Sequence, residues 1–450
     1  MALPIAYRLV LTLLWVLAAY NSLACRGLFW DGAAFLAKIV ETGNFHDFYP
    51  ARAHVGWVTQ LPVLLAIRFG VVDTRLLAEI QSVALFALPT ALYHVALSRA
   101  RGDGVLFAIV LATIALVYLP TSFFIIGEYN AAYAASIATV TIALTSDRHR
   151  LRDGMLLAGL GFLCLRSYEA MLYLGPLLAA VALWWRGRLP PADSVARLSG
   201  AIAAMAFAGS TVMTAMTLYE YWHHPHFAQV RVAILDFWQN LQFIIPVVGL
   251  ALFAAASLLW PRWLQGRGPA VLICAVAVIL AIVPWLRPYR PEAMLFPPSH
   301  YVARTAAGCL LWALLVVMAA HVLWQRNAPR LLVILRQEDV GRRLSLAMAV
   351  LVVAATLPDL SLTRLWSDYL THFRGLVAGQ TGYIRTADLP TEVWPARLFS
   401  QDWTAPALGA VLRSAPGQAI VLSREGPVDT MPFDSRCGTV PSLRGYAWRD

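Results

Sequence analysis

The chain has 450 residues, 59% hydrophobic and only 13% charged, against roughly 45–50% and 25% for soluble domains. With a mean hydropathy of +0.64, this excludes a soluble globular enzyme and predicts an all-α polytopic membrane protein. The net charge of +10 is no nucleic-acid signal, because the arginines fall between apolar segments and not along one face.

A membrane helix needs about 20 mainly apolar residues. Segments 9–25, 76–97, 105–126, 131–144, 155–165, 170–185, 201–218, 241–260, 270–285, 306–324 and 344–357 are candidates, which predicts about 11 transmembrane helices. After the first comes an outer loop with the aromatic residues Phe29, Trp30, Phe45, Phe48, Tyr49 and Trp57, as suits chain at a membrane–water boundary. Asp31, His46, Asp47 and His54 sit among them. Segment 55–71 is laid in the outer interface as a helix, since a span there would invert everything downstream. With a cytoplasmic N-terminus, every inner loop is then basic. Arg99, Arg101, Arg148, Arg150, Arg152, Arg186, Arg188, Arg197, Arg262 and Arg267 lie in them, as do Arg326, Arg330, Arg336, Arg342 and Arg343. This satisfies the positive-inside rule.

The outer loops hold polar groups unusual at a membrane surface. They are Glu128 in the turn 127–130, Arg166 and Glu169 between two short segments, Arg287 and Arg290, and Arg304 after residues 297–303. Outer arginines run against the positive-inside tendency, and a guanidinium fork matches the oxygens of a lipid phosphate. A carboxylate such as Asp31 can deprotonate an acceptor hydroxyl; the competing reading is a helix cap or an interfacial salt bridge. Glu128 and Asp47 are the further acidic candidates, and Arg166 with Glu169 also reads as a buried ion pair. The cluster His223, His224 and His226 is broken by Pro225 and lacks zinc spacing, and the five cysteines form no metal pattern. No metal site and no cofactor are expected; a divalent metal lacks support in the residues. Phosphate-loop, dinucleotide-binding and nucleophile-elbow motifs are missing.

Two domains are expected: a transmembrane domain at 1–360 and an outer tail at 361–450. The tail contains a helix at 405–414, a stop at 415–417 and a short strand at 419–423, which reads as a small α/β cap.

An acidic residue in a long first outer loop, an interfacial helix after it and a second acidic turn after the third span resemble the GT-C superfamily of integral membrane glycosyltransferases. Residues 158–178 are similar to that superfamily's glycine-rich helix, basic turn and Leu/Pro-rich return helix, and 299–304, with His300 and Tyr301, to its basic and aromatic late outer loop. The resemblance covers the organisation of residues 1–360. It implies transfer of a sugar from a polyprenyl-phosphate donor to a lipid or glycan acceptor at the outer face of a bacterial inner membrane. Asp31 would match the first-loop catalytic acid, Glu128 the second-loop acid and Arg166 the basic turn. Arg287, Arg290, His300, Tyr301 and Arg304 would serve donor binding. The chain departs from the pattern where many members carry adjacent acids, having Asp31 followed by Gly32. A polysaccharide polymerase or ligase, and a lipid or solute transporter, are the alternatives.

Overall fold

The computed structural model describes residues 2–46, 52–122, 128–146, 150–220, 222, 241–285, 297–324, 330–386, 399, 404–422 and 443–449, with the backbone alone for 2 and 297–302. Each of the eleven expected segments is helical over its described residues. They are α1 (Ala2–Leu23), α4 (Thr74–Ala100), α5 (Gly104–Thr121), α6 (Glu128–Thr145), α7 (Arg150–Leu165), α8 (Met171–Arg188), α9 (Ser194–Glu220), α10 (Leu241–Leu259), α11 (Gly268–Ile282), α12 (Pro297–Leu323) and α14 (Glu338–Gly379). Outside that set lie α2 (Asp31–Thr42), α3 (Ala53–Arg68), the one-and-a-half-turn α13 (Arg330–Leu335) and α15 (Ala405–Leu412).

Eight of the described helices are long and apolar enough to cross a membrane, which makes this a predominantly helical, multi-pass membrane protein. The three expected segments outside that set are α6, α7 and α8. The first is buried from Glu128 to Leu144, so protein and not lipid surrounds it and Ser136, Thr139 and Thr141 are tolerated there. Helix α7 has only 16 residues, and α8 ends in the polar run Arg186–Arg188. Helix α3, also 16 residues long with Pro62 inside, is not among the eight.

Helix α14 differs from expectation. It continues 22 residues beyond position 357 and so reaches well into what the sequence suggested was tail. The reason is an amphipathic stripe: Trp366, Tyr369, Leu370, Phe373 and Val377 are buried at helical spacing. Its 42 residues measure about 60 Å at about 1.5 Å each, twice the roughly 30 Å of a hydrocarbon core.

The chain divides into two compact units. The first contains residues 1–15, 89–123 and 128–359; the second contains 16–88, 124–127 and 360–450. In the first, α9 packs along both α7 and α8. Small residues let these backbones approach, as at Gly175, where an added Cβ would lie 2.8 Å from the Phe207 carbonyl oxygen. Arg99 donates from both Nη atoms to the fully buried Asp153 carboxylate. Asp103 caps α5, accepting from the N–H groups of Val105 and Leu106, and meets His321 Nε2 at 2.9 Å.

In the second unit, strands β1 (Tyr383–Arg385) and β2 (Ile420–Leu422) pair in parallel, with α15 as the crossover between them. Helix α15 packs on α2 and β2. Residues 446–449 lie against the start of α4. Ala447 N–H donates to the Val72 carbonyl, Thr74 N–H to the Ala447 carbonyl and Arg449 N–H to Asp73 Oδ1.

Candidate functional site

The first candidate site belongs to the second unit and is built on the turn between α1 and α2. Two non-glycine residues there, Cys25 (φ 50°) and Trp30 (φ 48°), adopt positive φ, and no other non-glycine residue among those described does. Between them runs a single 3-10 turn, Arg26–Leu28, and directly after Trp30 comes Asp31 as the first residue of α2. Positive φ costs an L-residue roughly 1–2 kcal/mol, so the surroundings must hold the turn in place. They do so with hydrogen bonds. Gly27 N–H donates to Ser82 Oγ (2.8 Å), and Gln81 Nε2 donates to the carbonyls of Gly27 (2.8 Å) and Gly32 (3.0 Å). A Cβ on Gly27 would stand 2.6 Å from Ser82 Oγ, so a larger residue there would break this lock.

Asp31 is 6% exposed, at the positive end of α2. Aromatic rings line the turn beside it. Phe29 stacks on Trp30 (centroids 5.2 Å) and meets Trp366 and Phe399 edge-on, while the Trp366 indole N–H donates to the Ala24 carbonyl. Arg26 is buried as well. Its Nη1 donates to Thr363 Oγ1 (3.1 Å), which in turn donates to Asn21 Oδ1 (2.9 Å), and its guanidinium lies over the Phe86 ring. A buried carboxylate and a buried guanidinium thus stand five residues apart in one strained turn. Farther along the loop, Gln60 on α3 grips the backbone of His46, accepting from its N–H and donating to its carbonyl, both at 2.8 Å. Burial first, then the Glu79 carboxylate, pushes the thiol of the free Cys25 up to about 12.

The second cluster belongs to the first unit. Arg304 on α12 is 1% exposed, with its guanidinium over the rings of Tyr129 (5.4 Å) and Tyr168 (5.9 Å). Tyr133 completes the cage; its hydroxyl donates to the Arg304 carbonyl (2.8 Å). Glu128, at the start of α6, is buried next to Tyr129 in sequence, and Arg166 and Glu169 are half-buried around Tyr168. Gly308, one turn beyond Arg304, leaves the room that the Tyr133 and Tyr173 hydroxyls fill.

The structure therefore assigns Asp31 to one unit and Glu128, Arg166 and Arg304 to the other. Asp47, Arg287, Arg290, His223, His224 and His226 lie outside the described residues, and His300 and Tyr301 fall in the first turns of α12. Among the described residues no three His, Cys, Asp or Glu side chains converge as a metal site. No known protein family, curated protein or solved structure matches the chain.

Arg26 and Asp359 are among the buried ionisable residues that went unread in the sequence. Arg26 carried a signal, since it is an arginine on the expected outer side of the first span. Asp359, fully buried on α14 with Ser122 Oγ donating to it, carried a weaker one. It is an acid beside Pro358 at the edge of the apolar run 344–357.

Proposed function

We propose that this protein is a GT-C-type membrane glycosyltransferase, moving a sugar from a polyprenyl-phosphate donor to a lipid or glycan acceptor at the outer face of the membrane. The reading rests on one observation: a buried carboxylate, Asp31, presented directly after the first membrane-length helix by a turn with two strained non-glycine residues. Backbone strain of this kind persists where the surrounding structure over-determines it, and it clusters at functional sites. Asp31 takes the proton of the acceptor hydroxyl as that oxygen bonds to the anomeric carbon, and the polyprenyl phosphate leaves with the electrons of the broken bond. Phe29 and Trp30 exclude water at this position. Glu128 and Asp47 are the further acids of the reading. The lipid phosphate is the ligand assigned to Arg166, Arg287, Arg290 and Arg304, with His300 and Tyr301 supporting it. The three shorter helices also cross, giving eleven spans in a bacterial inner membrane, with the N-terminus cytoplasmic and the C-terminus periplasmic.

Purified protein in lipid nanodiscs, given radiolabelled polyprenyl-phosphate sugars and a lipid extract as acceptor, tests the reading. Asp31→Asn keeps the shape and removes the base, so transfer should fall by about 10²–10⁴-fold while the melting temperature holds. Transfer at the wild-type rate by the Asn variant would remove Asp31 from the mechanism.

A further inference from the structure

A cleft of about 470 Å³ opens in the second unit beside the end of α1, a size that suits a small-molecule or lipid-headgroup ligand. One wall is a stripe of α14 in which Ser367, Thr371, Arg374, Gly375 and Ala378 follow at helical spacing. Cys25, Leu412, Trp448 and Arg75 also line the cleft. Among the described lining residues the charged ones are Arg75 and Arg374. The Arg374 guanidinium lies over the Trp448 ring at 5.9 Å. Arg75 spends its Nε on Glu79 (3.1 Å), while its side chain remains 44% exposed. The carboxylates of Glu79 and Asp73 stand nearby but outside the lining, so the cleft itself offers two guanidinium groups, hydroxyls and an indole face.

We propose that this cleft binds the phosphate headgroup of an anionic membrane phospholipid, independently of the glycosyltransferase reading. Charge complementarity selects an anion, and a guanidinium fork suits phosphate oxygens. Position selects a lipid over a soluble anion. Leu23, the last residue of the first membrane-length helix, forms the lip of the cleft and is 70% exposed. Val16, Tyr20 and Leu23 are exposed at i, i+4 and i+7 of α1, a track along which an acyl chain can lie while its phosphate sits one step above the hydrocarbon. The small residues Gly375 and Ala378 keep the mouth open.

The full chain in detergent is titrated with phosphatidylglycerol, phosphatidylcholine and inorganic phosphate, with bound lipid counted by native mass spectrometry. Phosphatidylglycerol should bind at least about tenfold more tightly than phosphatidylcholine. Arg75→Gln with Arg374→Gln should weaken it about tenfold or more. Gly375→Phe is the steric arm: a Cβ at Gly375 meets nothing within 4 Å, so the ring grows into the cleft without disturbing the helix. This variant should lose the phosphatidylglycerol adduct at an unchanged melting temperature, and it keeps the test decisive if the double variant misfolds. Equal phosphatidylglycerol binding by wild type and Gly375→Phe overturns the proposal. So does inorganic phosphate binding as tightly as the lipid, which would make the cleft a free-anion site.

Discussion

At Gly308 the cost of a single methyl can be argued from geometry alone. A Cβ there overlaps the hydroxyls of Tyr133 and Tyr173, and both rings are committed, Tyr133 through its bond to the Arg304 carbonyl. Gly308→Ala should therefore lower stability by about 1–3 kcal/mol, the usual cost of overpacking. Most of that should return in the triple variant that also carries Tyr133→Phe and Tyr173→Phe, as thermal melts in detergent would show. Asp103 supplies a pH prediction. Burial raises its pKa, but the hydrogen bond and charge of His321, with the Leu106 and Val105 N–H groups, outweigh this and leave it lowered. A carboxylate lowered in the folded state contributes stability above its unfolded value of about 3.9, and loses it as pH falls through the folded pKa. Asp103→Asn keeps the cap and removes the charge, so the stability gap between it and the wild type should close below about pH 4. Asp31 was legible in the sequence because a charge after an apolar run stands out. The strain before it was not, since nothing in the letters Cys25 or Trp30 announces a positive φ.

Among the elements, the helices were the most readable, because about 20 apolar residues in a row leave few alternatives. Where reading failed, burial was the cause. The tail of α14 is polar on one side only, and its covered stripe from Trp366 to Val377 is recognisable as helix once the partners Phe29 and Phe399 are known. Helix α3 is short and carries Pro62, yet it has a structural task, holding the loop between α2 and α3 through Gln60. Gln60→Ala removes both bonds to His46 and should cost about 1–3 kcal/mol. Hydrogen–deuterium exchange would report it locally, with protection falling at His46 and leaving α4 unchanged. Loss of protection throughout α4 would instead mark α3 as part of the general core.

For the whole molecule, orientation in the membrane constrains everything else. With eleven spans, a reporter fused after Arg150 should read as cytoplasmic and one after Asp450 as periplasmic. A cytoplasmic signal from both fusions would mean an even number of crossings between them and would put residues 361–450 on the opposite side from that proposed. The two-unit division was not visible in the sequence, because residues 16–88 and 360–450 meet only through folding. The bonds between residues 446–449 and Val72–Thr74 carry a consequence in time. Asp73 and Arg449 are 376 residues apart, so at about 5–20 residues per second the ribosome delivers the second partner roughly 20–75 s after the first. During that interval the Thr74 N–H, the Val72 carbonyl and the Asp73 carboxylate wait for these partners. The second unit is therefore finished by the clock of synthesis, long after its first helix has settled.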